Sequence, residues 1–584
     1  MHVLLLDAED SPRRGPWSAQ SWDLIVDLGK SSEFSVAEWT KQLHCPVLCA
    51  NSFRRGVEDL RHVREIFATE RGRLIDDEGL DWWELTSLVI APEAEAILVL
   101  GRVAAEIDPA AEVWASRRSW ATQVVGRLLR RSIEFFSDSL FERWTARARH
   151  YGEFFRRFPA GQIQEIILDR FDSGYQWRSR LSLRPEKFEN SVVLVPSAYG
   201  NVSRMASSYA ALLPEQDFLL VSTRRSAKQF ESPANVHVRD LSAYAKGESP
   251  AREIGRILDG WQKLSEEMRG DSNLNLLLQS GAMEPLPGWF RDGLHARNAW
   301  REVIEHEPVS GVLCGDDSNI FTRLPVLLAA RRKIPTVDFH HGAMDGRYLL
   351  KDLPCDVYLA KNEMERDYLL RICELATEKV TIGSPPSLRS SPRNDREQPA
   401  NNSVVFFSEP YENAGMRTEE VYRELLPLLC RVARENNRRV VIKLHPFESM
   451  SVRKKFVYAT LAVEDRKLLT IVDGPLSSHL LSSAWFGITV ESTTVIDCLL
   501  QDVPCFLCGW LTLSSFEYPR QYQRFGVGEI LNSAGDIAAI PQRIAKFDGQ
   551  SAKRSLLSKT LGPDMLRRWL KAGTNAEPAV RRVS

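Results

Sequence analysis

Residues 440–449 read VVIKLHPFES. Three β-branched residues, a lysine and a leucine form a short apolar run, and Pro446 closes it because proline has no N–H to give a strand ladder. An unbroken apolar run of this length is how a strand buried on both faces of a parallel sheet reads. In an open α/β sheet the carboxyl end of a strand faces the ligand crevice. Here that end carries Lys443 and His445. The stretch therefore reads as a strand that opens into a site.

The same rhythm extends on both sides. SVVFFSEP (403–410), a helix over 418–436, the strand 438–446, a helix near 451–463, LLTIVDG, SSAWFGITV, a helix from about 493 and VPCFLCGW alternate strand and helix. An earlier series runs from SVVLVPSAYGN (191–201) through DFLLVST, a helix over 251–268, a less regular stretch, SGVLCGDDSN, IPTVDFHHGAMDG and DVYLAKN to KVTIGSPP. Strands alternating with helices mean βαβ units and a parallel sheet. Between the two series, 386–402 is rich in Pro, Ser, Asn and charge, which is the composition of a linker. The expected fold is α/β, with two Rossmann-like lobes facing a cleft and an additional N-terminal domain that runs from α/β to helical. The expected division is 1–185 N-terminal accessory domain, 186–385 first lobe, 386–402 linker, 403–545 second lobe and 546–584 helical tail. A chain of 584 residues suits roughly three cores.

Within 1–185, VLLLD, DLIVDLG and AILVLG read as strands, and a long helical tract is expected from about 112 to 180. Arginines and aromatic residues recur there at helical spacing, which suits a helix packed on its own domain or a basic membrane-facing surface. Trp82 and Trp83 stand among acids in LIDDEGLDWWELTS, and tryptophan pairs serve as core or interface anchors.

Composition narrows the function. The formal net charge is −1, so no global nucleic-acid or membrane partner is indicated. Nine scattered cysteines without framework spacing read as free, buried thiols in a reducing compartment. Cys505 and Cys508 form a CxxC inside an apolar run, and core packing is the expected role. The N-terminus lacks the features of a signal peptide and no window reaches about 20 apolar residues. The expected location is cytoplasmic, with peripheral contact at the inner face of the membrane allowed.

Three strand exits carry chemistry. ESTT (491–494) precedes the helix VIDCLLQD; one hydroxyl suffices for an N-cap, and three in a row with free N–H groups also suit a phosphate. Asp497 lies one turn on from Thr493 and suits fixing the loop or meeting a ligand hydroxyl. Lys443 and His445 add a positive charge and a donor in the same lobe, so a nucleotide mono- or diphosphate is the expected ligand. In the first lobe, HHG (340–342) follows IPTVDF. Alternation sends His340 and His341 to opposite faces, Gly342 permits a sharp turn, and histidine suits proton abstraction near neutral pH. Asp316 and Asp317 end another strand, placed to hold an acceptor hydroxyl, to orient a histidine, or to cap the following helix. No DxD-type acidic triplet, HExxH or GxxxxGK[ST] is present, so neither metal nor cofactor is expected.

HG after a strand in the first lobe, K-x-H-P in the second, then paired hydroxyls with an aspartate four residues after the second: this order resembles the bilobal GT-B-type transferases of bacterial surface polymers. The nearest groups are the CDP-glycerol glycerophosphotransferases of teichoic-acid synthesis and the capsule and polysialic-acid glycosyltransferases. The resemblance spans roughly 190–530. It implies that His341 is the catalytic base, that His445 binds the donor phosphate, and that Ser492 and Thr493 are the hydroxyl pair, with Thr494 and Asp497 continuing the match. His340, which doubles the first histidine, and Glu491, ahead of the hydroxyls, depart from the pattern. The implied reaction is metal-independent, inverting transfer from a CMP-, CDP- or UDP-linked sugar, held at Lys443, His445 and 491–494 with its base and ribose near Glu409. The implied acceptor is a polysaccharide or lipid-linked hydroxyl on the side of Asp316, His340 and Gly342, with Asp317 expected to be catalytic alongside His341. Polyol-phosphate transfer and nucleotide-sugar 2-epimerisation are the alternatives.

Overall fold

The computed structural model describes residues 1–10, 12, 15–136, 185–228, 230–245, 250–340, 347–385, 402–445, 448–511, 516, 518–556 and 561–571. The chain forms two compact units. One comprises Met1–Asp59, Ala96–Glu142 and Ser390–Leu556, the other Leu60–Glu95, Arg143–Arg389 and Leu557–Ser584.

The first unit holds two parallel sheets. Its smaller sheet is built from β1 (His2–Leu6), β2 (Leu24–Asp27), β3 (Val47–Cys49), β4 (Glu112–Ala115) and β5 (Glu134–Phe135) in the order β3-β2-β1-β4-β5. The second unit holds a seven-stranded parallel sheet of β6 (Val192–Ser197), β7 (Asp217–Ser222), β8 (Val236–Asp240), β9 (Val309–Cys314), β10 (Thr336–Phe339), β11 (Val357–Ala360) and β12 (Val380–Ile382), ordered β12-β11-β10-β9-β6-β7-β8. The larger sheet of the first unit comprises β13 (Ser403–Phe407), β14 (Arg439–Lys443), β15 (Leu469–Val472), β16 (Ala484–Thr489), β17 (Cys505–Cys508) and β18 (Glu529–Leu531), ordered β15-β14-β13-β16-β17-β18. Each sheet starts near its centre, grows to one edge and returns to grow to the other. That is the doubly wound order, and the two larger sheets are the Rossmann-like lobes expected from the sequence.

The apolar runs form central strands because both faces are covered. Every residue of β6 and β13 is buried. Phe406, Ile442, Phe486, Ile488 and Phe506 fill the core of the six-stranded lobe. Val193, Val195, Leu220, Leu313 and Phe339 do the same for the seven-stranded one. All nine cysteines are free and buried, Cys505 and Cys508 on β17 among them, as a core role requires.

The region 1–185 is shared between the units. Residues 60–95 pack in the second, and the tryptophan pair shows why. Trp83 stacks on Trp261 at 6.2 Å, and Trp82 meets Phe290 edge-on at 6.4 Å. Both indoles are fully buried, and their N–H groups donate to Asp76 (3.0 Å) and to the Phe67 carbonyl (2.8 Å). The tract expected to be helical from 112 begins otherwise: β4, the helix Trp120–Leu129 and β5 occupy 112–135, and 137–184 lie outside the described residues. Ser119 and Thr122 form a reciprocal capping box that starts this helix, separating it from the strand before it.

The stretch after 268, expected to be less regular, contains the helices Ser272–Ser280 and Leu286–His306. Gly281, at φ 85°, ends the first in the left-handed region where glycine is favoured. Of the tail, the helix Gly549–Leu556 belongs to the first unit, while Pro563–Lys571 packs Leu566 and Leu570 into the core of the second. Among the described residues no helix is long and apolar enough to cross a membrane.

Candidate functional site

The six-stranded sheet reverses direction between β13 and β16, so its crevice lies at the carboxyl ends of those strands. Glu409 leaves β13 there. One carboxylate oxygen, Oε1, accepts three hydrogen bonds from the exit of β16: the Thr489 hydroxyl at 2.7 Å, the Val490 N–H at 3.1 Å and the Glu491 N–H at 3.0 Å. Burial raises the affinity of this carboxyl for its proton, and the negative Glu491 adds to it. These effects outweigh the three donors and push the pKa up to about 7.

ESTT follows at once. The helix it opens is short, Thr494–Leu500, and its N-cap Thr493 has a helical backbone with no side-chain cap bond. The Ser492 hydroxyl accepts the Thr494 N–H at 3.3 Å, while the Ser492 N–H donates to the Thr489 hydroxyl at 3.4 Å. The Thr494 hydroxyl is buried and has no hydrogen-bond partner. Plain capping therefore does not account for the three hydroxyls. Burial raises the Glu491 pKa while Lys30 opposes it. Asp497 is exposed in the first turn of the helix.

β14 lies beside β13 and delivers KLHP to the same end of the sheet. Lys443 is only 7% exposed, and its ammonium donates to the carbonyls of Leu444 and Gly474, each at 2.7 Å. It ties the exit of β14 to that of β15, and burial lowers its pKa. His445 is half-buried; burial and then the Lys443 charge lower its pKa, so its ring is neutral at pH 7. Its backbone is clamped from below. The His445 N–H donates to Glu448 Oε2 at 2.7 Å, and Glu448 Oε1 accepts from the Ser408 hydroxyl and from Arg453 Nε, both at 2.7 Å. Arg453 then pairs bidentately with Glu412 at 2.6 and 2.9 Å. Pro446 and Phe447 lie outside the described residues.

In the second unit, His341 and Gly342 lie outside the described residues. His340 is half-buried, with its ring edge-on to Tyr348 at 6.1 Å. The Tyr348 hydroxyl donates to Asp338 Oδ2 at 2.8 Å, and Asp338 is fully buried. Burial and the neighbouring Asp317 raise the Asp338 pKa well above the carboxylate range.

Asp317 itself is 1% exposed. One of its oxygens pairs with Lys351 and the other accepts from Arg323 at 3.2 Å, which also pairs with Glu84. Its charge is thus engaged by Lys351 and Arg323 inside the unit, which is the geometry of a framework anchor, a role the sequence did not suggest. The Asp316 carbonyl accepts the Thr322 hydroxyl. Asn319 caps the helix Ile320–Arg331, accepting the Phe321 N–H at 3.0 Å, so neither aspartate serves as its cap.

Sequence reading missed Glu448, Arg453, Glu412, Tyr348 and Lys351. The one available signal was spacing: Glu448 follows His445 by three residues, a separation at which a side chain reaches back to a backbone N–H.

Residues 348–511 match the family described as "Putative glycosyltransferase (DUF6716)", a stretch that includes both Lys443–His445 and Glu491–Asp497. The matched stretch is less than a third of the chain, and it supports a transferase. No curated protein matches it. Among solved structures it is similar to the UDP-GlcNAc 2-epimerase of Methanocaldococcus jannaschii (11% identity, TM-score 0.40, covering 66% of this chain and 100% of that one). It is also similar to a glycosyltransferase from Rickettsia africae (10%, TM-score 0.38, 66% and 98%). A third is CalG4, the calicheamicin glycosyltransferase (12%, TM-score 0.39, 66% and 98%).

Proposed function

We propose that the chain moves a sugar from a nucleotide-activated donor to a hydroxyl of a surface-polysaccharide or lipid-linked acceptor, inverting the anomeric carbon without a bound metal. The observation that supports this reading is the meeting of three sequence-distant exits. His445, Glu409 and Ser492–Thr494 leave the neighbouring strands β14, β13 and β16, which lie about 4.8 Å apart in a sheet. The unpartnered Thr494 hydroxyl stands among them.

In this reading the donor phosphates are met by the neutral ring N–H of His445, by the hydroxyls of Ser492, Thr493 and Thr494, and by the backbone between them. Asp497 faces the nucleoside. His341 takes the proton of the acceptor hydroxyl as its oxygen attacks the anomeric carbon. The bond from that carbon to the phosphate oxygen breaks, and the nucleotide leaves with the electron pair. Lys443 holds the frame at the exit of β14 and Asp317 that of the second unit; His340, Gly342 and Asp316 form the acceptor side.

The test is thermal stabilisation of the protein by CMP, CDP, UDP and GDP, since a ligand that binds only the folded state raises the unfolding midpoint. A shift with one nucleotide that His445→Ala abolishes is the expected result. No shift with any of them sinks the reading. Incubation with the matching nucleotide sugar alone then separates transfer from 2-epimerisation, which consumes the donor without an acceptor.

A further inference from the structure

Two consecutive backbone N–H groups that converge on one point form an anion-binding concavity. The Val490 and Glu491 N–H groups do so at the exit of β16, and the oxygen they meet is Glu409 Oε1. The concavity at the reversal of the sheet is thus filled by a carboxylate of the protein itself. The Thr489 hydroxyl completes the grip.

We infer that Glu409 is a positioning residue for the donor: it holds the Thr489–Glu491 backbone in place and takes up a proton from solvent when the donor's diphosphate binds beside it. The inference rests on the reading of this end of the sheet as the donor site.

The charges around Glu409 carry the argument. The groups that act on it or that it acts on are Glu491 on the turn, the Tyr411 hydroxyl on the segment that follows it, and the Cys508 thiol at the end of β17. None is a cation. Lys30 acts on Glu491. Burial and Glu491 thus oppose the three donors at Glu409, and at neutral pH the carboxyl stands near the midpoint of its titration. A diphosphate arriving at the same turn adds like charge within a few ångström, which disfavours the ionised carboxyl. Protonation removes that repulsion. A protonated carboxyl still presents a carbonyl oxygen to the Val490 and Glu491 N–H groups, so the turn keeps its shape while the charge disappears.

Calorimetric titration of the full chain with CMP, CDP, UDP and GDP at pH 7.5, repeated in PIPES, HEPES and Tris, measures the protons taken up on binding. At that pH a carboxyl of pKa about 7 is roughly three-quarters ionised, so the wild type should take up on the order of half a proton or more through this residue. Glu409→Gln keeps an acceptor oxygen and removes the titration. It should bind the same nucleotide at least as tightly, lose that share of the uptake, and show a flatter fall of affinity between pH 6.5 and 8.5. Glu409→Ala, which removes the brace, should bind more weakly than Glu409→Gln.

Unchanged uptake in Glu409→Gln overturns the inference. So does a tenfold or greater loss of affinity in Glu409→Gln at unchanged thermal midpoint, which would make the carboxylate a direct ligand contact. Failure of the wild type to bind any of the four nucleotides is a different result, and it sinks the donor-site reading itself.

Discussion

Arg417, at the start of the helix Thr418–Glu435, pairs with Asp27 at the end of β2, with 2.6 Å between Nη2 and Oδ1. The two residues are 390 positions apart in sequence (417 − 27) and are 5% and 0% exposed in the side chain. The guanidinium also donates to the carbonyls of Asp10 and Asp7, each at 2.8 Å, and to the Ser31 hydroxyl at 2.7 Å. A residue of the six-stranded lobe thus occupies the carboxyl edge of the small N-terminal sheet, the edge that in an open sheet is free for a ligand.

Removing one partner of a buried pair leaves the other charged without compensation, so Arg417→Ala should cost about 3–5 kcal/mol of stability. Urea denaturation of the full chain checks this; a loss below about 1 kcal/mol would mean that water reaches the site. Burial works against the charge of Asp27, but Arg417, Ser31 and the Gly29 N–H outweigh it and hold its pKa below the usual value. A depressed carboxyl contributes stability that is fully present above the unfolded pKa of about 4 and is lost as pH falls through the lower, folded value. The gap in thermal midpoint between wild type and Asp27→Asn should therefore be constant from pH 5 to 7 and shrink below pH 4.

Asp317 gives the second prediction. Its two oxygens are held by Lys351 and Arg323 with almost no solvent contact. Asp317→Ala should destabilise the second unit by about 3–5 kcal/mol through the uncompensated Lys351 and Arg323. The nucleotide-induced thermal shift should survive at temperatures below the lowered midpoint. If Asp317→Ala instead folds with an unchanged midpoint and loses turnover, the residue is catalytic after all.

Alternation along the chain sets the expectation for the histidine pair. His340 turns its ring to Tyr348, which is tied to the buried Asp338. Along an extended chain the next side chain takes the opposite side. His341→Ala should lower turnover by roughly 10²–10⁴, the range of a general base, with nucleotide affinity kept. His340→Ala should cost stability first, because it strips one ring from a packed aromatic contact, and less than tenfold in turnover. Steady-state rates with saturating donor distinguish the two; equal losses would remove the assignment.

Much of this fold was legible because its strands announce themselves. Runs such as VVLV, VVFF and VVI are apolar without interruption, as a doubly covered strand reads. AILVLG, expected to be a strand by the same pattern, lies instead inside the helix Trp82–Ala105. The exits were legible for the same reason, since polar residues that follow a buried run stand out.

What escaped was whatever depends on pairing across distance. Nothing local in EVWA marks it as a strand: four residues, one of them an exposed glutamate, become β4 only because β1 lies beside them. The division of 1–185 between two units rests on Trp83 finding Trp261, 178 positions later (261 − 83). Glu409 was expected near the base and ribose of the donor, and only the strand order, β13 next to β16, shows that its carboxylate grips the turn Thr489–Glu491. Lys443 looked like a phosphate ligand because sequence shows its charge and not the two carbonyls that take it up.

Lys443 supplies the last prediction. With its ammonium on the Leu444 and Gly474 carbonyls, the residue joins the ends of β14 and β15 beneath His445. Truncation leaves the buried Leu444 carbonyl without this donor, at about 1–3 kcal/mol, while the exposed Gly474 carbonyl can turn to water. Lys443→Ala should therefore lower the thermal midpoint in the absence of any ligand. Lys443→Arg should not restore it, since a planar fork cannot reproduce the placement of a compact ammonium. An ammonium has three N–H donors, and two are committed here, so one remains to a phosphate. Its loss should weaken nucleotide binding by a factor of about ten or less, the worth of a single hydrogen bond to a charged group. A hundredfold or greater loss of affinity with an unchanged midpoint would show instead that the lysine leaves its carbonyls for the donor. In that case the charge of Lys443, rather than the neutral ring of His445, dominates recognition at the end of β14.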